Sequence, residues 1–160
     1  MDTKKLIKRS CDGCNVCCEG WLSGTIYGKR MYQGMPCHFK TEKGCGIYKK
    51  RPKSPCRDFY CEWLKNTEIP EWFKPNTSKI LLRTSKINKI PYLEVIEAGS
   101  PLPIEALNWL FHYHVSTRIN IFYQIKNGKN WIGSTEFCQA MEKKSNKSNE
   151  ISNMSDNERI

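Results

Sequence analysis

The alternation of apolar and polar positions changes character near residue 78. From there to about residue 143 it is regular. Ile80-Leu81-Leu82 reads as a short strand and Tyr92–Ile96 as a second, with Asn88-Lys89-Ile90-Pro91 as the hairpin turn between them. Ser100-Pro101-Leu102-Pro103 precedes a helix, whose first turn tolerates proline. Ile104, Leu107, Leu110, Phe111 and Val115 recur at helical spacing and predict its buried face. A third strand is expected at Ile119–Ile125. Asn127-Gly128, the strongest short turn signal in the chain, leads to a fourth around Trp131-Ile132. Ser134 is placed to cap a last helix carrying Phe137 and Met141.

Before residue 78 the pattern is weak. Residues 1–65 are rich in Cys, Gly and Lys and promise little core of their own, so they are expected to depend on a metal to fold. Residues 66–77 place Pro70 and Pro75 around Trp72 and Phe73, a connector that packs its aromatics. From Lys144 onward Ser, Asn, Lys and Glu dominate, which predicts a disordered polar tail at 144–160. The expected fold class is α+β: a metal-stabilised cysteine-rich region (1–65), then an α+β region (66–143) with a small antiparallel sheet and two helices packed on it. With 160 residues the chain has the size of one domain.

Composition sharpens this picture mainly through cysteine, of which there are nine. The basic start (Lys4, Lys5, Lys8, Arg9) is not followed by an apolar run, and no stretch has the length of a membrane span. A cytoplasmic location with reduced thiols and no membrane partner is the expectation, and an odd count suits disulfides poorly. The net charge of +10 suggests nucleic acid. Residues 1–63 hold 13 Lys and Arg against 6 Asp and Glu, however, while the remainder holds 13 against 10. The surplus sits where the cysteines are, and neighbouring cations stabilise thiolates.

The first motif is Cys11-x2-Cys14-x2-Cys17-Cys18. Two thiolates separated by two residues reach one ion from a tight turn, as in zinc knuckles and iron–sulfur loops. Three cysteines in successive x2 steps are the start of a ferredoxin-like run, but the fourth is adjacent to the third. Adjacent side chains diverge, so Cys17 and Cys18 are expected to serve different ions, or one of them only packs. Gly13 and Gly20 give the turn its backbone freedom. Cys37, Cys45, Cys56 and Cys61 follow with gaps of seven, ten and four residues. The eight, Cys11, Cys14, Cys17, Cys18, Cys37, Cys45, Cys56 and Cys61, are candidate metal ligands. Four plus four suits two four-cysteine sites, or one cluster and one structural ion.

These residues, with Cys45-Gly46-Ile47-Tyr48, Arg51-Pro52 and Cys56-Arg57-Asp58-Phe59, resemble the CxxCxxCC cysteine-cluster family over about residues 8–65. Proteins of that family are described as zinc- or iron-chelating and as related to flagellin lysine N-methylases. The resemblance implies metal or iron–sulfur binding and supplies no settled reaction. Closed four-thiolate zinc sites would be structural, whereas a 4Fe-4S cluster would carry electrons or activate a substrate.

The remaining candidates have plainer readings. His38 could replace a cysteine ligand or simply lie beside one. His112 and His114, two apart on a helix, point in different directions, and His114 is read as a packing residue. Arg51 and Arg57 either assist the sulfurs or form a solvated face. Cys138 is read as a core thiol. Trp21, Tyr48, Phe59, Tyr60, Trp63, Trp72 and Phe73 suit a hydrophobic shell for a metal better than a stacking platform for bases. The leading expectation is a metal-binding protein with an unknown protein partner or substrate. A lysine N-methylase-like enzyme is one alternative, although no glycine-rich nucleotide loop follows a predicted strand. A zinc-stabilised nucleic-acid-binding module, less favoured, is the other.

Overall fold

The computed structural model describes residues 9–11, 13–125 and 128–157, with side chains as far as Lys147. It is a mixed α+β chain with small sheets and several helices. The chain divides into two compact units, Met1–Arg83 with Val95–Pro101, and Thr84–Glu94 with Leu102–Ile160. The boundary falls inside a hairpin of two long strands, so both strands contribute to each unit.

The first unit opens with a 3-10 turn at Val16–Glu19 and two short antiparallel hairpins. Strands β1 (Gly24–Ile26) and β2 (Lys29–Met31) form one, and β3 (Lys40–Thr41) and β4 (Gly44–Cys45) the other. A π-type turn at Lys53–Arg57 and the short helix α1 (Glu62–Lys65) follow. The connector is structured: a 3-10 turn at Glu71–Phe73 runs into helix α2 (Pro75–Ser78). Of its aromatics Phe73 is fully buried, and Trp72 stacks on it at 4.2 Å while staying partly exposed. The expectation of little core in this region is corrected. Val16, Leu22, Ile26, Met31 and Trp63 are all buried within residues 1–65, and Ile69, Ile80, Leu81 and Leu82 are buried in the rest of the unit. Widely spaced apolar residues on short turns leave no periodicity to read, because each turn contributes only one or two of them.

The four-stranded sheet has the order β5-β6-β7-β8, with β5 at Ile80–Ile87, β6 at Ile90–Glu97, β7 at Ile121–Ile125 and β8 at Gly128–Ile132. The β5–β6 turn is Asn88-Lys89, both with positive φ (48° and 69°), the signature of a type I′ hairpin. β5 is longer than the three residues expected, since Arg83–Ile87 alternate in burial and pair along β6. β7 and β8 are antiparallel with Ile125 opposite Gly128. Asn127, from the predicted turn, lies outside the described residues.

In the second unit Ile87, Tyr92, Phe137, Ala140 and Met141 form a buried cluster, with Phe122, Trp131 and Cys138 packed against it. Helix α4 (Thr135–Asn157) is capped by Ser134, whose Oγ accepts the Phe137 N–H at 3.3 Å. It runs on to Asn157, within the segment expected to be a disordered tail, of which residues 158–160 lie outside the described residues. Once Phe137 and Met141 anchor its first turns, each further residue adds a backbone bond without a new nucleation cost. Helix α3 (Ile104–Thr117) corrects another expectation. Its buried residues are Ala106, Leu110 and Tyr113, whereas Ile104, Phe111 and Val115 are exposed. Both stripes have helical spacing, and the one holding Tyr113 is the one covered. Among the described residues no helix is long and apolar enough to cross a membrane.

Candidate metal centre

Seven of the eight candidate cysteines, all but Cys37, line one cavity of about 320 Å³ in the first unit. The wall also includes Tyr48, Arg51 and Phe59. Two glycines shape the entry to the motif. Gly13 and Gly20 adopt φ of 71° and 95°, which L-residues avoid, and a Cβ on Gly20 would stand 3.0–3.1 Å from the Met35 backbone. The chain can therefore reverse sharply on either side of Cys14, Cys17 and Cys18. Cys14 N–H donates to the Cys11 carbonyl at 2.8 Å, closing the first CxxC turn.

The later cysteines are brought up by backbone contacts. Cys37 N–H donates to the Cys18 carbonyl at 2.8 Å, and Lys40 N–H to the Cys37 carbonyl at 3.0 Å. Lys40 pairs with Cys45 across the β3–β4 hairpin. Cys56 lies in the Lys53–Arg57 turn, held against β1 where Gly24 faces Pro55; a Cβ at Gly24 would stand 2.7 Å from Pro55 Cγ. Cys61 precedes α1 and is buried.

Arg9 fastens the two ends of the cysteine region. Its guanidinium donates to the carbonyls of Trp63 (2.5 Å), Asn66 (2.7 Å) and Ile69 (2.5 Å) and lies 4.8 Å from the centre of the Trp63 ring. Glu71 adds an ion pair at 3.5 Å. Nothing in the sequence signals this role, because the partners lie 54–60 residues away.

Among the described residues none of the nine cysteines is in a disulfide. Cys17 and Cys18 sulfurs are 4.0 Å apart and share a hydrogen bond. That bond, with Arg51 and Lys40 nearby, brings the Cys18 thiol down from 9.0 to about 7 despite burial and Glu19. Cys17, giving up its proton least readily, is pushed far up by the same bond, by burial and by the charges of Cys18, Cys14 and Cys11. Burial is the main cause that raises Cys37, Cys56 and Cys61. Cys56 has Cys18, Cys37 and Cys45 as like-charged neighbours, and Cys61 has Cys11 and Cys14.

The donor set is soft sulfur, the chemistry that zinc and iron–sulfur centres use. As the side chains stand, no group of three or more His, Cys, Asp or Glu among the described residues closes on a common point. Of the other candidates, His38, Arg57, Tyr60, Cys138, His112 and His114 stay outside the cavity. His38 is exposed and packs its ring edge-to-face on Phe39. Arg57 and Tyr60 are exposed. Cys138 packs in the second unit's core, 3.8 Å from the Gly133 carbonyl. His112 Nδ1 pairs with the Asn108 carbonyl and His114 Nδ1 with that of Ile119, at 2.8 and 2.7 Å. Arg51 stacks over Tyr48 at 3.7 Å and lines the cavity.

No protein-family model, no curated protein and no solved structure matches the chain.

Proposed function

We propose that this is a metal-binding protein that holds zinc or iron through Cys11, Cys14, Cys17, Cys18, Cys37, Cys45, Cys56 and Cys61. The observation that carries the reading is the convergence of seven of these thiols, drawn from five separate turns and hairpins, on the walls of one cavity. Chance burial of small apolar residues would scatter them, as it does Cys138. Crowded thiols also resist ionisation without a cation. Burial raises three of them, and like-charged neighbours raise them further. A bound ion would remove both penalties by stabilising every thiolate at once.

In this reading each feature of the wall has a task. Arg51 and Lys40 supply positive charge beside Cys18. Tyr48 and Phe59 limit water at the sulfurs. The resemblance to the CxxCxxCC cysteine-cluster proteins points the same way. Metal analysis with an optical spectrum on untagged protein purified without oxygen is the test. Stoichiometric zinc, or iron with labile sulfide, is the expected result; folded protein carrying neither would overturn the reading.

A further inference from the structure

We infer that the eight cysteines divide between two metal centres, Cys11, Cys14, Cys17 and Cys61 holding one and Cys18, Cys37, Cys45 and Cys56 the other. The division rests on the metal-binding reading above and goes beyond it by assigning every ligand.

Two sets of backbone and Arg9 side-chain contacts separate the groups. Cys11 and Cys14 belong to one turn, closed by the 2.8 Å bond between them. Arg9, two residues before Cys11, grips the Trp63 carbonyl, two residues after Cys61. The same guanidinium thus holds both ends of the first group. In the second group the Cys18 carbonyl accepts from Cys37, whose own carbonyl accepts from Lys40, and Lys40 pairs with Cys45. The charged neighbours follow the same line. Cys61 has Cys11 and Cys14 nearby, whereas Cys56 has Cys18, Cys37 and Cys45.

Cys17 and Cys18 form the seam. Their 4.0 Å separation would also suit two ligands of one ion, since thiolates at about 2.3 Å from zinc lie roughly 3.8 Å apart. What divides them is company: Cys17 has Cys14 and Cys11 beside it, and Cys18 is the neighbour of Cys37 and Cys56. Cys17 and Cys18 both lie in the 3-10 turn at Val16–Glu19, between the Cys11–Cys14 turn on one side and, through the Cys18 carbonyl, Cys37 on the other.

The test is alkylation mapped by mass spectrometry on the full-length protein as purified, during graded chelation. Two groups of four thiols should become reactive in two steps, with the membership given above. Cys61→Ser should expose Cys11, Cys14 and Cys17, halve the metal content and leave the other four protected. Cys37→Ser should do the reverse. Adding Cys14→Ser to Cys61→Ser should release no further metal, while combining Cys61→Ser with Cys37→Ser should release all of it. If either variant fails to fold, the wild-type chelation series decides alone. One step involving all eight thiols, or two groups of other membership, would overturn the division and leave metal binding intact. Wild-type protein without metal would instead remove the reading beneath it.

Discussion

Replacing Arg9 with alanine should loosen the end of the cysteine region while leaving the second unit untouched. The side chain is 8% exposed and makes three short bonds to carbonyls of one segment. A hydrogen bond involving a charged group contributes about 1.5–3 kcal/mol net, and the lower figure suits carbonyls that regain some water. Three such bonds give about 4.5 kcal/mol. The Glu71 pair adds little, because that carboxylate is 72% exposed. Each 1.36 kcal/mol is tenfold in an equilibrium, so the segment's opening should become roughly a thousandfold more frequent. Hydrogen exchange read by mass spectrometry on residues 61–74 measures this directly. The amides of Leu64, Asn66 and Phe73, bonded to the carbonyls of Cys61, Glu62 and Pro70, are the reporters. Exchange there should rise by about three orders of magnitude, with α3 unchanged as the internal control. Arg9→Lys should recover only part of the loss, since an ammonium does not span three carbonyls as a guanidinium fork does. Acceleration below tenfold would refute the assignment of Arg9 as the fastener.

Gly24→Ala should shift the turn bearing Cys56, because its Cβ would meet Pro55 Cγ at 2.7 Å; weakened metal retention with normal helix content checks this. Gly20→Ala combines a φ of 95° with a backbone contact at 3.0 Å and should cost the first unit about 2 kcal/mol or more, measured by urea unfolding. Phe137→Ala empties a fully buried site and should cost about 3–5 kcal/mol in the second unit without changing metal content. In metal-free, reduced protein Cys18 should be alkylated with a midpoint near pH 7, well below Cys61, whose thiol burial pushes up. The Cys18 value lies below its ordinary 9.0, so its contribution to stability is complete above pH 9 and lost as pH falls through 7. Cys18 and Cys61 titrating together would contradict the environment assigned to them.

The sheet was legible because its signals are local. Asn88-Lys89 sits at a two-residue turn, and Ser134 caps the helix it precedes. The α3 face was misread because two apolar stripes share one helix, and only tertiary packing chooses between Val115 and Tyr113. The metal-ligand candidates were legible as residue types, since cysteine spacing is visible in the chain. Their placement was not. Arg9 and Gly24 act on segments distant in sequence, and no pattern within a window of ten or twenty residues contains that information. The core of the first unit was hidden for the same reason, being assembled from single residues such as Val16, Met31 and Trp63.

X-ray absorption at the edge of the bound metal tests the central claim most directly. The account predicts a first shell of sulfur alone, about four atoms at about 2.3 Å if the metal is zinc. A shell dominated by nitrogen or oxygen would contradict it, because the clustered thiols would then hold no ion.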